Sequence, residues 1–368
     1  MKRRTSWIGS STRQTLAVWG FLGLLVAGAI GTVWPSGEKP NTLRVSEVLA
    51  NVIHWKPAPS VVVVERAEDG AFRYLVNGSP QLFIGMRYNP IYRFLSDAER
   101  AMAYHRDFRI LCEAGVNHIT GWDADKGYEQ DKFDEVTLDV AFQYGIGVVM
   151  PFYLPPEGDY EDETFLQELL VAAETKIKRY TDHPALRMWG VGNEVLIEMA
   201  SQRQRAAFGR FYLRLADLFH NLDPNHPVIY REAEDVFVPT TSFMLGGPVP
   251  TRPWLLYGMN AYTPGLEEIL DNWPNRDIQR PLFITEFGAP AEWLGDRANG
   301  YLAMWWMIRA YPDYVMGGAP YAWTTEGPEP TDSEWGLMDG GSYPVDETFE
   351  RLAEEWLQEE ARNRTCVP

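Results

Sequence analysis

Cysteine is nearly missing from this chain. Cys112 and Cys366 are the two in 368 residues, so at most one bridge can form and a disulfide scaffold is excluded. Neither sits in a CxxC pair. The six histidines are scattered, and none makes an HExxH or another metal spacing. No GxGxxG follows the first strand candidate, which weakens a dinucleotide-binding reading. No metal and no cofactor are therefore expected. Positive charge is also short, with 33 Lys and Arg against 51 Asp and Glu, a net charge of −18. Residues 1–34 hold four of those bases and no acid, so the remainder carries 29 − 51 = −22. Binding a phosphate backbone needs a positive field, so nucleic acid is excluded as a partner.

The composition is that of a globular protein, with 45% hydrophobic and 23% charged residues. The N-terminus is different in kind. Lys2, Arg3, Arg4 and Arg13 precede a run without charge over residues 14–37, and acids begin at Glu38. Thr15–Trp34 has about the 20 residues that cross a bilayer core. The basic flank predicts a cytoplasmic N-terminus and an exported remainder. A cleaved signal peptide, with Ala27-Gly28-Ala29 as its small-residue site, is the competing reading and predicts a secreted protein. The expected organisation is a basic tail and anchor over 1–34, a proline-bearing linker over 35–60, a globular domain over 61–362 and a tail over 363–368.

Beyond the linker, Val61–Glu65 and Phe72–Val76 flank the turn dipeptide Asp69-Gly70 and predict a short hairpin. Eight apolar runs then alternate with helical patterns. They are Leu82–Arg87, Val116–Trp122, Gly147–Tyr153, Leu186–Asn193, Pro227–Arg231, Leu256–Ala261, Leu282–Phe287 and Gly318–Trp323. Ser96 with Glu99, and Thr164 with Gln167, read as capping boxes. Phe208, Phe211, Tyr212, Leu215 and Phe219 make a helical stripe. Residues 233–252 lack a helical period, so the fifth helix is short or replaced by a loop. Eight strand–helix units predict an α/β fold, a closed (β/α)8 TIM barrel with an N-terminal hairpin.

In such a barrel the chemistry sits at the C-terminal strand ends. Strand four ends in Asn193-Glu194 and strand seven in Thr285-Glu286-Phe287-Gly288. Two facing carboxyls suit glycosidic bond cleavage, in which one is protonated and the other ionised. Tyr88, Trp122, Tyr153, Tyr262 and Trp323 also stand at strand ends, where aromatic faces suit sugar rings.

The segment Met188–Val195, Met-Trp-Gly-Val-Gly-Asn-Glu-Val, resembles the acid/base strand of glycoside hydrolase clan A. Pro281–Gly288, Pro-Leu-Phe-Ile-Thr-Glu-Phe-Gly, resembles the nucleophile strand of the same clan. The glutamates are 286 − 194 = 92 residues apart, which suits three intervening units. The resemblance extends over most of residues 62–340. Its nearest echoes are the β-1,3-glucanosyltransferase and glucanase-like members and the β-galactosidase/glucuronidase barrels. It implies a retaining hydrolase or transglycosylase acting on a β-linked glucan or related polysaccharide. Glu194 would be the general acid/base and Glu286 the nucleophile. Asn193 would hold the sugar 2-hydroxyl, Tyr262 would donate to Glu286, and Trp323 would floor the cleavage subsite.

One feature departs from the clan. Its members commonly carry an arginine near the end of strand two, and here that stretch reads His118-Ile119-Thr120-Gly121-Trp122. Arg87 on strand one or Arg231 on strand five could supply the cation. If neither reaches Glu286, a non-catalytic cell-surface carbohydrate-binding barrel becomes the better reading.

Overall fold

The structure is a computed structural model and describes residues 58–92, 94–121, 133–247, 251–276, 278–290, 293–359 and 366. The expected membrane segment, most of the linker, Trp122 and nearly all of the tail lie outside the described residues. Among the described residues no helix is long and apolar enough to cross a membrane.

The chain first forms a three-stranded antiparallel sheet, β1 (Val62–Arg66), β2 (Phe72–Val76) and β3 (Ser79–Pro80). Eight strands follow: β4 (Phe83–Arg87), β5 (His118–Thr120), β6 (Gly147–Phe152), β7 (Leu186–Asn193), β8 (Val228–Ala233), β9 (Leu255–Ala261), β10 (Leu282–Phe287) and β11 (Val315–Pro320). Every neighbouring pair is parallel, and β11 pairs with β4 to close the barrel. The helices are α1 (Asp97–Glu113), α2 (Glu135–Gln143), α3 (Glu163–Tyr180), α4 (Val195–Glu198), α5 (Gln202–Leu222), α6 (Val238–Met244), α7 (Leu266–Asp271), α8 (Arg297–Arg309), α9 (Asp332–Trp335) and α10 (Thr348–Glu359).

Local signals start most of the long helices. Ser96 caps α1 in a full capping box with Glu99, as its spacing predicts. Ser201 and Gln204 do the same for α5. The box expected at Thr164 and Gln167 does not form. Asp162 caps α3 instead, its carboxylate accepting the Thr164 N–H at 2.9 Å. The helix therefore starts ahead of Thr164, which leaves that residue inside the first turn. The weakly patterned stretch after β8 yields only the seven residues of α6.

Alternation along each strand divides the apolar residues into two layers. One set faces the helices. The other fills the barrel near its N-terminal end, where Phe83, Val149, Met188, Ile229, Leu256, Phe283 and Met316 meet Val62, Val64, Tyr74 and Val76 of the hairpin. The hairpin thus closes the end of the barrel away from the strand C-termini. Burying each of its large apolar side chains contributes about 1.5–3 kcal/mol before the entropy of ordering it. Tyr74 also meets His118 Nε2 through its hydroxyl at 2.7 Å.

The last strand lies three residues upstream of its expected position, over Val315–Pro320 rather than Gly318–Trp323. Gly317 explains the shift. Its φ is +127°, and a Cβ there would stand 2.0 Å from the Phe83 carbonyl oxygen. The Gly-Gly pair lies inside the strand, where β11 passes close to β4, rather than ahead of it.

Cys112 on α1 and Cys366 form a disulfide with Cα atoms 5.7 Å apart, closing a loop that spans 254 residues of sequence. A bridge of that span restricts the unfolded chain strongly. Cys112→Ser is expected to lower unfolding stability by up to about 5 kcal/mol. Denaturant titration of the oxidised protein, the reduced protein and the variant checks this, with the last two predicted to coincide.

Candidate active site

Glu286 lies near the end of β10, beside β9, where it is in register with Asn260. Its carboxylate is held at both oxygens. The Arg87 guanidinium, from the end of β4, approaches Oε1 through Nε at 2.7 Å, with side chains 1% and 6% exposed. The Tyr262 hydroxyl donates to Oε2 at 2.7 Å. A buried guanidinium thus balances a negative charge on Glu286. The cation absent from the second strand comes from the first. Arg231 is engaged elsewhere: its guanidinium donates to the carbonyls of Gly121 at 2.7 Å, Gly192 at 3.3 Å and Gly190 at 3.5 Å.

Glu194 stands just past β7 in a sharp turn. Its backbone is left-handed, with φ 53° and ψ 31°, which costs a non-glycine residue about 1–2 kcal/mol. Gly192 takes φ 77° two residues earlier. The turn is clasped from β8, because the Glu194 N–H donates to the Arg231 carbonyl at 3.0 Å. Asn260 on β9 donates from Nδ2 to Glu194 Oε1 at 2.9 Å and to Asn193 Oδ1 at 3.2 Å. Asn260 is itself oriented by the Thr285 hydroxyl, which donates to its Oδ1 at 2.9 Å.

The two glutamates differ in what surrounds them. Burial is the first cause pushing the Glu194 carboxyl up, and the negative charge of Glu286 is the second. The donor on Asn260 opposes them, Glu232 adds to the rise, and Arg87 opposes it; the result is a carboxyl pushed up to about 7.

Both carboxyls open into one cleft of about 460 Å³ at the C-terminal strand ends. Arg87, Asn193 and Tyr262 line it with them, and so do Tyr321, Thr331 and Trp335 from the segments after β11. The Trp335 ring meets Tyr262 edge-on at 5.4 Å. Glu198 and Glu329 stand at the rim.

Residues 140–321 match a family model described as the TIM barrel domain of glycosyl hydrolases family 2. The match agrees with the resemblance of the two glutamate-bearing strands to glycoside hydrolase clan A. Solved structures agree on the fold. A β-glucuronidase of Bacteroides uniformis superposes with a TM-score of 0.60 at 16% identity, covering 77% of this chain and 36% of that one. A β-D-glucuronidase of Dictyoglomus thermophilum gives 0.59 at 20% identity, covering 81% and 53%. The β-glucuronidase of Ruminococcus gnavus gives 0.61 at 15%, again covering 81% and 53%. The chain therefore spans between a third and just over half of the length of these neighbours. No curated protein matches it in sequence.

The barrel brings together Arg87, Asn193, Glu194, Tyr262 and Glu286 out of the residues singled out in the sequence. It does not bring in all the aromatics. Tyr88 is buried, and its hydroxyl donates to Asp107 of α1 at 2.7 Å. Arg87 points inward, so alternation sends Tyr88 out towards the helices. Trp323 is only 1% exposed and packs between Tyr88 and Phe349 rather than flooring a subsite. Because β11 ends early, Tyr321 takes the cleft-facing place. Tyr153 is half-buried just after β6. Asn260 and Trp335 were not expected in the site. Asn260 falls near the C-terminal end of the expected strand Leu256–Ala261, a usable signal, whereas Trp335 follows a long connection after the last strand.

Proposed function

We propose that the barrel is the catalytic domain of a retaining glycoside hydrolase that cleaves β-linked sugars by double displacement. One observation carries the reading. Two glutamates share a cleft in opposite settings, Glu286 matched by a buried guanidinium and Glu194 pushed towards holding its proton. In the first step the Glu286 carboxylate attacks the anomeric carbon while Glu194 gives its proton to the departing oxygen. A covalent glycosyl-enzyme results. In the second step Glu194 takes a proton from water, whose oxygen displaces Glu286 and restores the β configuration. A sugar hydroxyl in place of water would make the same step a transfer.

Asn193 accepts from Asn260 through Oδ1, and its own amide N–H groups suit the sugar 2-hydroxyl. Tyr262 steadies Glu286, and Tyr321 and Trp335 add aromatic side chains to the cleft lining, a composition that suits a pyranose. A β-linked glucan or related polysaccharide is the proposed substrate. The β-glucuronidases among the structural neighbours add glucuronides to the compounds worth testing. The non-catalytic reading loses its motive, because Arg87 supplies the cation whose absence suggested it. We place the domain outside the cytoplasm, supported by the basic and apolar N-terminal pattern and by a disulfide suited to an oxidising compartment.

The test is a panel of aryl β-glycosides, including glucoside, galactoside and glucuronide, with β-glucan oligosaccharides beside them. Turnover by the wild type with release of the β anomer supports the proposal. An α product, or no turnover of any compound, contradicts it.

A further inference from the structure

Glu232 is an unusual residue to find where it is. It sits on β8 with no exposed surface, one position after Arg231, which is in register with Asn193 on β7. Its carboxylate accepts the Leu196 N–H at 2.9 Å, the Ala233 N–H at 2.9 Å and the Tyr230 hydroxyl at 2.5 Å. The Ile197 N–H also donates to it. Leu196 and Ile197 are the second and third residues after Glu194, so this side chain grips the turn that carries Glu194.

The grip is two-sided. The Arg231 carbonyl takes the Glu194 N–H, and the Glu232 carboxylate takes the donors just beyond it. Between those anchors Glu194 keeps its left-handed backbone. A cap serving only helix stability is a poor account of a buried carboxylate, because α4 is four residues long and a surface Ser or Asp would cap it without that burial.

We propose that Glu232 is the positioning residue of the proton donor: it holds Glu194 over the scissile oxygen and keeps a negative charge behind it. The proposal rests on the reading of Glu194 as general acid. Glu232 itself has no surface open to a substrate and takes no part in bond making. Glu194 is faced by Glu286 from β10, Asn260 from β9, Glu232 from β8 and Arg87 from β4. Burial pushes the Glu232 carboxyl up, and its four donors favour the ionised form; that charge is one of the two negative neighbours that favour a protonated Glu194.

The experiment compares Glu232→Gln with the wild type on two substrates, an alkyl β-glycoside that needs acid assistance and a 2,4-dinitrophenyl β-glycoside that hardly does. For Glu232→Gln, kcat/KM on the alkyl substrate is expected to fall about 10- to 100-fold, with the dinitrophenyl substrate changed by less than about threefold. The alkaline limb of the alkyl profile should move to lower pH. Glu232→Asp keeps the charge but shortens the reach to Leu196. It should show the same leaving-group selectivity with the limb in place, and it serves if the glutamine variant does not fold. Equal losses on both substrates, or none on either, overturn the inference while the site reading stands. A wild type inert on both overturns the two together.

Discussion

Glu286→Gln is expected to lower turnover of every substrate, activated or not, by a factor of about 10⁴ or more. The amide cannot form the glycosyl ester, and no leaving group, however good, compensates for a lost nucleophile. The same change removes the counter-charge of Arg87, whose side chain is 1% exposed. Breaking a buried pair from one side costs about 3–5 kcal/mol, because the remaining charge stays desolvated. Inactivity should therefore come with a lower melting temperature. The double variant Arg87→Met with Glu286→Gln should recover part of that stability and none of the activity. Measuring kcat/KM and thermal unfolding on the same samples separates the two effects. Residual turnover in Glu286→Gln above about a hundredth of wild type would assign the nucleophile elsewhere.

Glu194→Gln is the second large effect, and its signature is selectivity. General acid assistance contributes about 10²–10⁴-fold, so an alkyl or sugar leaving group should suffer a loss of that order. A dinitrophenolate departs without a proton, so its glycosylation step should be nearly spared. The pH profile makes a linked prediction. The group must hold its proton for the first step, and burial and Glu286 push it up to about 7. The wild-type kcat/KM on an alkyl glycoside should therefore decline as pH rises through that value. In Glu194→Gln that alkaline limb should vanish. A limb that persists unchanged in the variant would belong to another group.

Much of the architecture was readable because its signals are local. Eight apolar runs separated by helical patterns gave the barrel, and β7 and β10 have the expected bounds. The Asn-Glu and Thr-Glu endings identify the two carboxyls because a parallel strand delivers its last residues to the same face as its neighbours. The less legible parts depend on packing between segments distant in sequence. The position of β11 is set by how near Gly317 comes to the Phe83 carbonyl, which no window of sequence contains. That displacement accounts for Trp323 standing as a candidate platform although it lies in the core, with Tyr321 in the cleft. Whether Arg87 or Arg231 would serve Glu286 also turned on tertiary geometry. Both lie at strand ends and both are buried, but one reaches a carboxylate and the other spans backbone carbonyls. Glu232 has no local signature, because its partners are backbone groups on the turn after the adjacent strand.

The covalent intermediate is the central claim, and it can be caught. Incubation with a dinitrophenyl 2-deoxy-2-fluoro-β-glycoside, matched to the best sugar of the panel, slows both steps and the second more than the first. Intact-mass spectrometry should then show one added glycosyl group, and peptide mapping should place it on Glu286. A label on Glu194 or any other side chain, or release of product by an active enzyme with no adduct formed, would contradict the double displacement.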